Sequence, residues 1–203
     1  MKHFLAASLF SIFALVLPQP SHAADSTAGL LATSGTYALD KAHGKVTWSI
    51  SHLGFSTYVG QFSDTAATLV FDAVKPENSK LDVTVQTASI GTLNPALDTH
   101  LKSADFFNVA KFPTATFKST KITRTGPKSA KVRGDFTLLG VTKPLTLLVV
   151  LNQAGNNPMF KYYEAGFTAT AHLKRTNWGL SKYAPYLGDD VNLQIEGEFK
   201  LVK

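Results

Sequence analysis

From Tyr37 to Leu201 the chain alternates apolar and polar residues, run after run, with short polar connections between the runs. Val46, Trp48 and Ile50 interleave with Thr47, Ser49 and Ser51, and Leu81, Val83 and Val85 interleave with Asp82, Thr84 and Gln86. A period of two gives each run one apolar and one polar face, the mark of a half-buried strand. The same rhythm sets Leu69 and Phe71 against Thr68 and Val70, puts Phe117 between Thr116 and Lys118, and aligns Val132, Phe136 and Leu138. Further runs follow at Tyr163–Leu173 and from Val191 to Leu201. Turn signals separate them at Lys75–Asn78, Thr125–Pro127, Leu139–Pro144, Ala154–Pro158 and Gly188–Asp190. None leaves room for a crossover helix, so neighbouring strands must pair antiparallel. About eight to ten such strands close into a barrel or fold into a sandwich. A barrel of about eight strands either fills its interior with side chains or holds one small ligand. Strands of about ten residues, tilted by about 40°, enclose a lumen roughly 25 Å tall.

One stretch breaks the rhythm. Asn94 can cap a helix that starts at Pro95, where a missing N–H costs nothing. Leu97 and Leu101 then share one face, with Asp98 and Lys102 four apart beside them. Ser103 is expected to cap a second short piece carrying Phe106 and Phe107, and Pro113 forces Phe112 extended. The expectation is a two-piece helical plug on the end of a β structure. Leu145–Leu151 is apolar on both faces, so its outer side is expected to meet a helix, the plug or a second copy of the chain.

The N-terminus reads as an export signal. Lys2 and His3 precede an apolar run from Phe4 to Leu17, and Ser21-His22-Ala23 supplies small residues where a signal peptidase reads. Residues 1–23 are therefore expected to be a signal peptide, 24–34 a flexible arm, and 35–203 a single exported domain. With no cysteine, neither disulfides nor a lipid-anchored N-terminus can form. The formal charge of +6 falls by one when Lys2 leaves with the signal. The basic residues are scattered, which suits a solubilising surface with a mild attraction to anions. That pattern, with export, argues against a nucleic-acid face and leaves an anionic membrane surface open as a transient contact.

Catalytic signals are weak. His43, His52, His100 and His172 stand in no tight ligand pair, and neither a nucleophile elbow nor a phosphate-binding loop is present. Asp98 and His100 lie two apart on a helix and so diverge; His100 is expected to bond a strand end and Asp98 to cap or pair nearby. No metal, cofactor or enzyme activity is expected. Arg175, close to Trp178, has two readings: a surface arginine packed on a ring, or a fork at a barrel mouth for a phosphate or carboxylate head. Lys143 could assist from the turn before Pro144.

The segments carry a resemblance when taken in order: YALDKAH at 37–43, SHLGF at 51–55, GQF at 60–62, LVFD at 69–72 and DTHLKSADFF at 98–107. KFP at 111–113, TFKS at 116–119, GDFTLLGVTKP at 134–144, RTNWG at 175–179 and GDDV at 188–191 complete it. From about Gly35 to Val202 the chain resembles the YceI-like family of exported lipid- or polyisoprenoid-binding proteins. Leu97 departs from it, standing where many relatives carry a basic residue. The resemblance implies an all-β, antiparallel, lipocalin-like barrel with a long apolar chain in its lumen, in the periplasm and often as a homodimer. The expected function is a binding or carrier protein for a polyisoprenoid, an isoprenoid quinone or a fatty-acid-like lipid. The alternative is an exported enzyme or redox partner acting on a quinone-like lipid; a filled, purely structural barrel is a third reading. The expected ligand contacts are Trp48, Ile50, Phe71, Val83, Phe117, Phe136, Leu138, Phe167 and Ile195 inside, with Arg175, His52 and His100 at the mouth.

Overall fold

The computed structural model describes residues 32–202, so the signal peptide and most of the arm lie outside the described residues. The elements are β1 (Gly35–Leu39), β2 (Lys45–His52), β3 (Ser56–Phe62), β4 (Thr65–Phe71), β5 (Lys80–Gln86) and β6 (Ile90–Gly91). Then follow α1 (Pro95–Lys102), β7 (Thr114–Arg124), β8 (Ser129–Leu138), β9 (Val141–Asn156), β10 (Tyr163–Lys174) and β11 (Leu187–Leu201). All pairings are antiparallel.

These segments form eight staves. β1 pairs with the end of β11 (Leu39 opposite Phe199), and β2 pairs with its earlier part (Val46 opposite Ile195). Thus β1 and β2 are two lengths of one stave, interrupted at 40–44. Similarly β4 pairs with β1 while β3 pairs with β2, and β5 pairs with β4 while β6 pairs with β3. Because β1 bonds to both β4 and β11, the sheet closes into an eight-stranded antiparallel barrel. At the first interruption Asp40 accepts from Ala42 N (3.1 Å) and holds His43 Nδ1 (3.0 Å) and Lys200 Nζ (2.8 Å). Those partners, Lys200 first, pull its carboxyl pKa down to about 2.

The meander defines two ends. The upper end carries the β2–β3, β8–β9 and β10–β11 connections and α1; the lower end carries β4–β5, β7–β8 and β9–β10. The β8–β9 turn is only Leu139-Gly140, both with positive φ (51° and 76°), the two-residue hairpin that matches strand twist. The expected turn through Pro144 is therefore shorter than predicted. Pro144 lies within β9 opposite Asp135, on a stretch where the β9–β10 ladder has already ended at Leu148–Thr170, so its absent N–H is tolerated.

The plug is corrected in one respect. Ser103 Oγ donates to His100 O (2.7 Å) and closes α1, and residues 103–107 form a turn instead of a second helix. That turn still delivers the two rings: Phe106 is buried, and Phe107 meets Phe62 edge-on at 5.4 Å. Leu145, Leu147 and Leu151 face inward and are buried, but outward Leu148 is 51% and Val150 45% exposed. Among the described residues, neither a helix nor the plug covers that strand. Phe55, at the β2–β3 turn, is also on the outside, 91% exposed.

Candidate functional site

The inward faces of the staves do not meet across the axis. They enclose a cavity of about 610 Å³ with an overwhelmingly aliphatic and aromatic wall, within the range of about 300–1,000 Å³ seen for ligand sites. Glycines help to keep it open. A Cβ at Gly60 would collide with the Trp48 indole, and one at Gly134 with the Phe117 ring, so each ring lies flat along the wall. Trp48 also stacks near Tyr58 (24° between planes, centroids 6.4 Å apart). At the lower end Tyr37, Phe71, Leu151, Ala165 and Phe199 form a packed cluster, so the barrel is not an open pipe.

All twelve residues expected as ligand contacts lie on the cavity wall: Trp48, Ile50, Phe71, Val83, Phe117, Phe136, Leu138, Phe167, Ile195, His52, His100 and Arg175. Their roles differ from expectation at the upper end. Arg175 is only 4% exposed, neither a surface residue nor a headgroup fork. Its Nε donates to Gly188 O (2.7 Å), Nη1 to Leu180 O and to Lys182 O (3.0 Å), and Nη2 to Leu187 O (2.9 Å). Four of the five guanidinium donors are thus taken by carbonyls of its own loop. Burial lowers its pKa, with Asp189 opposing, and Asp189 itself accepts from Thr176 N and Oγ1 (2.9 and 3.0 Å). Arg175 is a staple for the β10–β11 connection.

His100 pairs with Asp105 (Nε2 to Oδ2, 3.3 Å) and not with a strand end; Lys182 Nζ reaches the same carboxylate at 3.2 Å. These two partners, Lys182 first, lower the Asp105 pKa. The His100 ring sits edge-on to Phe106 (5.1 Å) and Tyr183 (6.3 Å). Asp98 turns the other way, accepting from Thr92 N (2.8 Å) and Oγ1 (2.6 Å), so the two groups do not form a dyad. His52 ends β2, exposed, with its ring 6.1 Å from Tyr58. Lys143 is exposed on β9 and is not among the residues lining the cavity.

Sequence reasoning missed other wall residues. Tyr183 and Tyr186 come from an irregular loop that carries no periodicity. Lys128, at the lower end, comes from the β7–β8 turn, and Arg124 beside it was hidden by a bulge: Ser119 faces Gly134 while Lys121 faces Arg133, leaving Thr120 as an extra residue. The bulge flips the alternation, so Ile122 and Arg124 turn inward where simple parity counted from Phe117 would have placed Lys121.

Comparison with known proteins agrees with the fold. Residues 37–199 match the YceI-like domain. The UPF0312 protein of Pseudomonas savastanoi pv. phaseolicola is 41% identical over 169 residues, which is 82% of this chain and 88% of that one. The crystal structure of the Campylobacter jejuni YCEI protein superposes with a TM-score of 0.67 at 31% identity, covering 75% of this chain and 90% of that one. A polyisoprenoid binding domain from Saccharophagus degradans superposes with a TM-score of 0.61 at 10% identity, covering 81% and 98%, a likeness of fold alone. The chain belongs to the YceI-like family.

Proposed function

We propose that this protein is an exported binding or carrier protein that holds the apolar chain of a lipid, a polyisoprenoid, isoprenoid quinone or fatty-acid-like molecule, in its lumen. The observation that carries the reading is the cavity of about 610 Å³, walled by hydrocarbon side chains from every stave. Burying each methylene is worth about 0.8 kcal/mol, so about a dozen carbons supply a gross term near 10 kcal/mol. Ordering the chain and desolvating its head subtract from that, which leaves micromolar to nanomolar affinity. Binding of this kind needs a dry lumen and no bond-making chemistry. The neighbour in fold from Saccharophagus degradans, a polyisoprenoid binding domain, supports a chain-binding use of this barrel. The signal-like N-terminus supports a periplasmic setting. A carrier there exchanges cargo by transient contact with a membrane, and the bare Leu148–Val150 face suits a second copy of the chain.

Native mass spectrometry after mild purification tests the proposal. A lipid should travel with the intact protein and leave on denaturation. A bare mass that stays unchanged after incubation with isoprenoid and fatty-acid chains would refute it. Replacing His52 and His100 with glutamine addresses the enzymatic alternative: chain binding should survive, whereas turnover dependent on either imidazole would vanish.

A further inference from the structure

Large apolar or aromatic side chains are exposed at many points of the barrel, but few of them also touch the lumen. Among the described residues, those that do both are Leu53 (51% exposed), Tyr183 (52%) and Tyr186 (75%). A side chain that meets solvent on one side and the cavity on the other marks an opening, and all three belong to upper-end connections. The ladders bring those connections together, because His52 pairs with Ser56 across the β2–β3 turn and with Leu187 of β11. Phe55, next to Ser56 and 91% exposed, therefore shares one rim with Tyr186, next to Leu187.

Backbone hydrogen bonds hold this rim in shape. Phe55 N donates to His52 O (3.0 Å), with Leu53 and Gly54 at positive φ (55° and 76°) between them. In the second loop Ala184 N donates to Ser181 O (3.0 Å) and Leu187 N to Tyr183 O (2.8 Å). The Tyr183 ring meets the plug, 6.2 Å from Phe106. The lower end differs. Its exposed Val74, Met159 and Phe160 are not on the cavity wall, and the described chain begins there, with Thr33 N on the Tyr163 hydroxyl (3.1 Å). Charge also favours the upper rim. Residues 51–58 and 180–187 contain no Asp or Glu, and Lys182 is their one Lys or Arg. A surface of phosphate headgroups meets no carboxylate on these two loops, and tyrosine suits a boundary that is apolar on one side and wet on the other.

Resting on the proposed function, we infer that this rim docks on a lipid bilayer: Leu53, Phe55 and Tyr186 insert among the headgroups, and the cargo chain passes between membrane and lumen through the opening they border. The occupant is a bilayer surface because the exposed patch runs without a break into a wall that accepts hydrocarbon. In that pose the chain moves from membrane to cavity without exposing its methylenes to water.

Flotation with vesicles of phosphatidylethanolamine and phosphatidylglycerol tests this. The protein should float with the vesicles, and Phe55→Ser should weaken partitioning about tenfold. Phe160→Ser, at the lower end, should leave partitioning unchanged. Phe55→Trp should retain it, and the added indole emission should shift to the blue on vesicles and be quenched by lipids brominated in the acyl chain. Because Phe55 is exposed, Phe55→Ser should unfold at the same urea concentration as the original protein and bind palmitate from aqueous solution equally well, while drawing it from vesicles more slowly. Equal partitioning of Phe55→Ser, a loss produced by Phe160→Ser instead, or an unquenched indole in Phe55→Trp overturns the docking rim. Absence of flotation together with self-association that Phe55→Ser abolishes overturns it too, because the patch would then serve a second copy of the chain. Palmitate binding without flotation overturns the rim alone, whereas failure of palmitate and farnesol alike to bind overturns the proposed function and the rim with it.

Discussion

Two arginines stand at opposite ends of the same lumen, and the fold holds them to different depths. Arg175, above, is buried and gives four donors to the carbonyls of residues 180–188. Arg124, below, is half-buried at the end of a strand, with its Nε on the carbonyl of the adjoining turn. Both touch the cavity wall, so position alone does not separate a ligand-binding arginine from a structural one. What separates them is burial: Arg175 lies beneath its loop, whereas Arg124 is half-buried at a strand end. An arginine whose donors are taken by the backbone of one connection organises that connection.

The sharpest way to break this contrast is Arg175→Met. It strands several buried carbonyls at once, and a loss of about 3–5 kcal/mol is expected in urea unfolding. Unchanged stability would place Arg175 with the ligand after all. Next comes Phe106→Ala in the plug turn, which should cost about 3 kcal/mol and speed exchange of bound chain. Unchanged exchange would mean that the chain enters and leaves the lumen elsewhere. Ala169→Phe narrows the lumen midway and should weaken chain binding about tenfold, equivalent to about 1.4 kcal/mol, for acids and alcohols alike. Binding that survives it would place the chain elsewhere.

The smallest effect belongs to Tyr37 in the lower cluster, whose hydroxyl donates to Thr33 O at 2.6 Å. Burial, with Tyr163 adding, raises its pKa from 10.0 to about 12. The folded state therefore holds this proton more tightly than the unfolded chain does. Stability is undiminished below pH 10.0 and should fall as pH climbs toward 12. Tyr37→Phe should cost about 1 kcal/mol at neutral pH and remove that alkaline slope from the denaturation profile.

Much of this architecture was legible in the sequence because strand parity is a strong signal. Trp48 and Ile50 on β2, Leu81 and Val83 on β5, and Leu138 on β8 all face the lumen as their alternation required. The helix was legible from Asn94, whose side chain accepts from Leu97 N at 3.2 Å. What parity could not carry was its own interruption. The extra residue at Thr120 re-aimed Arg124, and only pairing partners distant in sequence reveal such a bulge. Arg175 was misjudged for a related reason. Its partners are backbone carbonyls, which every residue has, so no residue pattern announces them. The second plug piece failed because Ser103 can cap either direction, and its hydroxyl went back to His100 O.

The account turns on where an apolar chain lies. A crystal structure of the protein saturated with a long-chain fatty acid brominated at its terminal carbon would locate it. The predicted result is an anomalous bromine peak inside the barrel, within the cavity that Trp48, Phe117 and Phe136 help to line. Bromine on the outer wall, or a lumen that contains only water while the acid sits elsewhere, would contradict it.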